Sequence, residues 1–320
     1  MPGLSVVNRL SSPLPRPTPQ PNYDKNVKPT NLNWQSKLVL LLVVAPVAVN
    51  VAWQLRFWPT HAPQVAAWSL GLSALLGLLA WKSRSGTLPA ALTGALICAS
   101  MMFATFVFPY HPWQTAIVPI LTVLILTSLA TRFGRRQKEK LGMAEEKRGR
   151  NAAQVCANLG FAALMSTPAT HSLLMGSNSD ELTDRMFQQW LLFASYASLA
   201  EAAADTLSSE IGQVLGGQPF LLTTFRKVAP GTDGAISAAG TFAGILAAGI
   251  VAAVGAWTLH SSLMTMLVIS SGGVFGLLFD SLLGATIERK GWLNNDAVNF
   301  LSTAGAALFI LGLLRMLGTA

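Results

Sequence analysis

The sequence predicts an all-α, polytopic transmembrane helix bundle of about nine spans with a cytoplasmic amino terminus, and three observations lead there. Of 320 residues, 52% are hydrophobic and only 11% are charged, too little charge for the surface of a soluble domain. No charged residue falls between Ser85 and Thr131 or between Gly234 and Phe279. One span needs only ~20 apolar residues, so each stretch holds two spans and a short turn. Finally, a nine-span reading puts all but three of the 22 Lys and Arg on one side of the bilayer, the exceptions being Arg56, Arg185 and Arg315. Loops that stay in the cytoplasm keep their positive charge.

Residues 1–36 are rich in Pro and Asn and lack an apolar core before Leu38. They read as a disordered cytoplasmic tail and not as a cleavable signal peptide, which leaves 37–320 as a single transmembrane domain. Spans are expected near 38–55, 65–81, 88–108, 114–131, 152–174, 187–209, 235–259, 263–287 and 297–317. The first is short and carries Pro46. Between the third and fourth, Pro109-Tyr110-His111-Pro112-Trp113 breaks the helix and supplies interfacial aromatics. Cys98 and Cys156 fall inside spans and read as small buried residues. The net charge of +8 reflects topology and anionic lipid headgroups; without a basic patch interleaved with aromatics, no nucleic-acid partner is expected.

An ionisable side chain inside a span is costly and marks a function or a partner. The sixth span contains Glu201, Asp205 and Glu210, with Glu201 and Asp205 four apart on one helical face. Asp280 of the eighth span lies at the same basic end. The fifth opens on Lys147-Arg148-Gly149-Arg150-Asn151, with Asn151, Gln154 and Asn158 on one stripe. Between the sixth and seventh come Arg226, Lys227 and the turn Pro230-Gly231-Thr232-Asp233-Gly234, read as lying directly ahead of a helix amino terminus, where backbone N–H groups and the helix dipole favour a phosphate. Asn294-Asn295-Asp296 precedes the ninth.

Each feature has a plainer reading. The acids could be neutralised by Arg150 or Lys147 to fix packing, the basic run could be a topology signal, and Pro230–Gly234 could be a simple turn. Asn294–Asp296 could be a helix cap, and the pairs Gly240/Gly244 and Gly272/Gly276 have the spacing of close helix contacts. What favours a site is convergence: elements far apart in sequence bring acids, cations and a phosphate-type turn to one depth. There is no P-loop, H-E-x-x-H or C-x-x-C motif, and His61, His111, His171 and His260 all fall at or near the outer face. Carboxylates beside Arg and Lys at a lipid interface, without a histidine base, suit phosphoryl transfer, with acids holding Mg²⁺ and cations and amides neutralising a triphosphate.

The same residues carry a resemblance. The runs Arg150–Asn158, Ala204–Gly212, Pro230–Ser237, Asp280–Thr286 and Asn295–Phe300 resemble, in order, motifs of the integral membrane family that includes plant phytyl-phosphate kinase and transmembrane protein nineteen. That family is related to the CTP-dependent polyprenol kinases. The resemblance implies a prenyl-phosphate kinase that transfers the γ-phosphoryl group of CTP, or of another nucleoside triphosphate, to an isoprenoid lipid monophosphate in the bacterial cytoplasmic membrane. Asp205, Glu210 and Asp280 are then expected to hold Mg²⁺. Arg150, Lys227, Lys147 and the Gly231-Thr232-Asp233-Gly234 turn would bind phosphates, and Asn151, Gln154 and Asn158 would orient the headgroup or the ligands. Glu201 lies outside the matching motif, so its catalytic assignment with Asp205 rests on the shared helical face. A prenol acceptor would need Asp205 or Glu201 as base, whereas an acceptor phosphate is already anionic near neutrality. A secondary transporter of an anionic or lipid-linked substrate is the alternative from another class.

Overall fold

In the computed structural model, the described residues are 33–140, 149–175 and 180–318. They form an all-α polytopic bundle. In chain order the helices are α1 (Asn33–His61), α2 (Pro63–Lys82), α3 (Leu88–Thr105), α4 (Ile117–Arg132), the short α5 (Arg135–Lys140), α6 (Ala152–Met165), α7 (Pro168–Met175), α8 (Glu181–Leu215), α9 (Ala238–Thr258), α10 (Leu263–Leu283) and α11 (Asn295–Gly318). α10 runs on into a π-helical turn, Gly284–Glu288. A two-residue antiparallel ribbon, β1 (Phe220–Leu221) with β2 (Ala235–Ile236), lies between α8 and α9.

Helices occupy all nine predicted intervals. Six of them, α1, α2, α3, α9, α10 with its π turn, and α11, are long and apolar enough to cross a membrane, while α4 and α6 are shorter apolar helices. The boundaries move for identifiable reasons. The predicted tail lies outside the described residues up to residue 32, and α1 begins at Asn33 and runs unbroken past Pro46. Its amino end is held by the α10–α11 corner: Gln35 donates to the Trp292 carbonyl at 2.8 Å and Ser36 donates to Asp296 at 2.5 Å. The fifth interval, expected as one span over 152–174, divides at Pro168. Thr167 turns its hydroxyl back to the Leu164 carbonyl and accepts from the Thr170 N–H, starting α7.

Lipid and protein faces are legible on α1. Val39, Val43, Val47 and Val51 are buried in one stripe, while Leu38, Leu41, Leu42, Val49 and Trp53 are exposed on the other side. Exposed apolar residues on this scale fit a hydrocarbon surround. In the interior, Asn50 donates to the Ser100 hydroxyl at 2.8 Å, a polar tie between α1 and α3.

α8 is the axis, packed against α4, α6, α9, α10 and α11. It suits that place because Ala194–Ala204 is almost entirely Ala and Ser around Tyr196, Leu199 and Glu201, and all of it is buried. Small residues on the partners complete the approach. A methyl at Gly244 would come 2.8 Å from the Ala204 carbonyl, and one at Gly272 would come 2.8 Å from the Ala197 methyl. These glycines therefore act in packing, as their spacing predicts.

Candidate functional site

The basic end of the bundle encloses a cavity of about 340 Å³ between the ends of α6, α8, α10 and α11 and the 230–235 turn. Of the residues singled out by sequence, Arg150, Gln154, Asn158, Asp205, Glu210, Gly231, Thr232, Asp233, Gly234 and Asp280 all line it. Five helical or loop segments meet there, as convergence predicts. A larger cavity, about 510 Å³, opens among Trp53, Phe57, Leu191 and the pair His171 and Asp184, the latter being the one acid among its described lining residues.

The turn is fixed onto α10 by glycine. Gly234 has φ +68°, and a methyl on it would overlap the Ala285 backbone nitrogen, so only glycine allows both the conformation and the contact. Gly284 returns the contact, since a methyl there would lie 2.7 Å from the Gly234 nitrogen. Asp233 is thereby set at the cavity edge. Partial burial pushes its carboxyl above the usual carboxylate range, and Arg289 draws it back. One expectation is corrected: the turn does not abut a helix amino terminus. β2 intervenes, and α9 is capped by Ser237, whose hydroxyl accepts from the Gly240 N–H at 3.2 Å.

Arg150 is placed by its backbone. Its N–H donates to the Ser85 carbonyl at 3.1 Å and its carbonyl accepts from the Thr87 N–H at 2.9 Å, stitching the start of α6 to the α2–α3 loop. From there Nη2 donates to the Thr206 hydroxyl at 3.3 Å. Asn151 and Gln154 form a reciprocal capping box: the Asn151 side chain accepts from the Gln154 N–H at 3.0 Å and the Gln154 side chain accepts from the Asn151 N–H at 2.8 Å. Asn158 donates to the Gln154 carbonyl at 2.8 Å.

The acids divide by environment. Asp205 on α8 and Asp280 on α10 are within electrostatic reach of each other, and Asp280 Oδ1 is buried without a hydrogen-bond partner. Glu210 also touches the cavity, but it is ion-paired with Lys138 of α5, whose side chain is buried and also donates to the Ala130 and Thr131 carbonyls at 3.1 and 3.0 Å. Sequence reading had no signal for that pair, because Lys138 is one of many basic residues in its segment. Glu201 does not reach the cavity. It is 1% exposed and wedged against Gly276, whose lack of a side chain makes the room. Lys227 stands exposed on the hairpin from Pro219 to Val228, outside the lining, and Lys147 lies outside the described residues. Asn294 caps α11 by accepting from the Ala297 N–H at 2.9 Å, the plainer reading of that motif.

Two polar lining residues were not anticipated: Glu288, which the π turn directs to the cavity, and Gln213, one helical turn beyond Glu210 with Oε1 buried and unpartnered. Five carboxylates thus face one guanidinium among the described lining residues. No three His, Cys, Asp or Glu side chains among the described residues enclose a metal by themselves. Asp205 and Asp280 do fit the way Mg²⁺ is commonly held, by one or two carboxylates completed by water and substrate phosphates.

The family model for integral membrane protein DUF92 matches residues 71–307, a stretch that includes every residue lining the cavity. An uncharacterized membrane protein of Methanocaldococcus jannaschii is 35% identical over 62% of this chain and 76% of its own length. From Arabidopsis thaliana, the chloroplastic protein VTE6 is 29% identical over 67% of this chain and 63% of its own length, and protein PGR is 29% identical over 69% and 78%. No solved structure gives a significant match. With three quarters of its length matched, through all the elements that build the cavity, the chain belongs to the DUF92 integral membrane family.

Proposed function

We propose that the protein is a membrane-embedded prenyl-phosphate kinase, transferring the γ-phosphoryl group of CTP to an isoprenoid monophosphate in this cavity. One observation carries the reading: paired carboxylates, one with an orphaned buried oxygen, face an arginine at the same end of a lipid-exposed bundle. Membership of DUF92 and the similarity to VTE6 support it. A wall of five acids repels a triphosphate unless cations intervene, so the cavity suits a metal-bound nucleotide better than a bare anion.

The reaction joins an oxygen of the acceptor phosphate to the γ-phosphorus and breaks its bond to the β–γ bridging oxygen, releasing the nucleoside diphosphate. Mg²⁺ held by Asp205 and Asp280 would neutralise the phosphate oxygens. Arg150 neutralises the acceptor phosphate, and Thr206 orients its guanidinium. Thr232 and the backbone of the 231–234 turn face the donor. Glu210 has its cation in Lys138, so the metal role falls to Asp205 and Asp280. No residue has to remove a strongly held proton, because the acceptor's second ionisation lies near pH ~6.

The test is purified protein in detergent with γ-labelled CTP, Mg²⁺ and a panel of prenyl phosphates and prenols. Labelled prenyl diphosphate is expected. Faster labelling of the alcohols would move the acceptor to a prenol, and substrate uptake into proteoliposomes without transfer would make the protein a transporter. The proposal also sets the cavity in the cytoplasm. Reporter fusions should then place the 132–150 loop inside and the carboxyl end outside.

A further inference from the structure

A third, smaller cavity, about 80 Å³, lies between α2, α3, α4 and α6. Its walls are apolar: Leu76 from α2, Ile120 and Val123 from α4, Val155 and Leu159 from α6, with glycine and alanine from α2 and α3 between them. Two residues, Arg150 and Asn158, line both this slot and the acid-walled cavity. The slot therefore adjoins the polar cavity at Arg150 and Asn158.

The glycines shape it. Gly77 draws α2 onto α3, since a methyl there would come 2.9 Å from the Ala91 carbonyl. Gly94 does the opposite: the nearest atom to a methyl at that position would be Val155 Cγ1 at 3.9 Å, so the space in front of it is open. A site with one fixed positive group at its mouth and an apolar body takes an amphiphile with an anionic head. At roughly 10–15 Å³ of such volume per water-sized group, it holds about five to eight heavy atoms. An isoprene unit has five carbons.

We infer that this slot receives the first isoprene unit of the acceptor, next to its phosphate, and so selects branched isoprenoid phosphates over phosphates of soluble alcohols. The inference rests on the proposed kinase reading for the identity of the lipid. Arg150 then holds the junction: its side chain meets the phosphate while its backbone, pinned to the α2–α3 loop, fixes the distance from head to slot. Nothing in the slot reacts. It positions.

The experiment is photo-crosslinking of the full chain in detergent with geranylgeranyl monophosphate carrying a diazirine on the branch methyl of its first unit, mapped by mass spectrometry. Label is expected on residues 90–94 and 155–159, displaced by excess unlabelled geranylgeranyl phosphate. Gly94→Leu, which projects a side chain into the slot, should cut labelling at least ten-fold and raise KM for the prenyl phosphate at least ten-fold with KM for CTP unchanged. Gly71→Ala, on α2 outside the slot with nothing within 4 Å of the added methyl, should behave as wild type. If Gly94→Leu fails to fold, Val123→Phe plugs the slot from the facing wall and is held to the same outcome. Label elsewhere in the wild-type protein, or plugged variants with unaltered acceptor KM, would overturn the slot even if transfer from CTP proceeds. Label within the slot without any phosphoryl transfer would leave the slot standing and remove the kinase.

Discussion

Glu210 and Asp205 sit within two turns of each other on α8, yet they meet opposite surroundings. At the junction with α5, Glu210 faces Lys138, which is itself buried and satisfied by two backbone carbonyls. At the junction with α10, Asp205 faces Asp280, another acid, one of whose oxygens has no partner. The first junction is closed on its own terms, since chain-supplied charge answers chain-supplied charge. The second leaves two acids together across the cavity from Arg150, and in the proposed reading a cation from outside the chain completes it. Carboxylates in a span are thus not a functional class by themselves; the neighbouring helix decides whether each is a brace or a ligand.

The comparison is tested most severely at the brace. Lys138→Ala strands a buried carboxylate and should lower stability by ~3–5 kcal/mol, the cost of removing one member of a buried pair. Lys138→Met combined with Glu210→Gln should recover most of it in thermal melts in detergent. Unchanged stability with lost transfer would instead assign the pair to the reaction. At the open junction, Asp205→Asn and Asp280→Asn should each cut phosphoryl transfer about 10²–10³-fold, the scale of removing a preorganised electrostatic group, while melting temperature holds or rises as mutual repulsion falls. Near wild-type turnover at saturating Mg²⁺ would make these acids a second brace.

A smaller effect is expected where the turn meets α10. Gly234→Ala forces a side chain into a left-handed backbone, at roughly 1–2 kcal/mol, and pushes the turn from Ala285. It should raise KM for CTP by a larger factor than KM for the acceptor. An equal rise in the acceptor KM would mean the turn serves the whole cavity and not the donor alone.

Much of this was legible in the sequence, for reasons that differ by element. Charge-free stretches and the basic bias mark the helices because hydrocarbon admits few alternatives. The depth of Asp205, Asp280, Arg150 and the 230–234 turn follows from counting turns back from the basic ends. Pairing was not legible. The Lys138–Glu210 contact depends on a short helix folding back after α4, and Glu201 packs against a glycine on another helix, outside the cavity lining. The ribbon between α8 and α9 is two residues long on each side, too short for alternation to announce it.

Asn151, next to Arg150 but outside the cavity lining, gives the mildest test and the one that best separates a brace from a ligand. Its sequence position suggests a headgroup contact, whereas its side chain caps α6 in a box with Gln154. Losing an N-cap costs typically ~1 kcal/mol, and because Arg150 precedes the cap, a frayed first turn would also loosen the guanidinium. Asn151→Ala should therefore lower melting temperature slightly and raise acceptor KM a few-fold. The discriminating variant is Asn151→Ser. A serine hydroxyl accepts from the same backbone N–H but is too short to reproduce an amide's contact with a substrate. Recovery of both stability and KM by serine makes the residue a cap, acting on Arg150 through the helix start. Recovery of stability alone would show that the amide itself touches the headgroup.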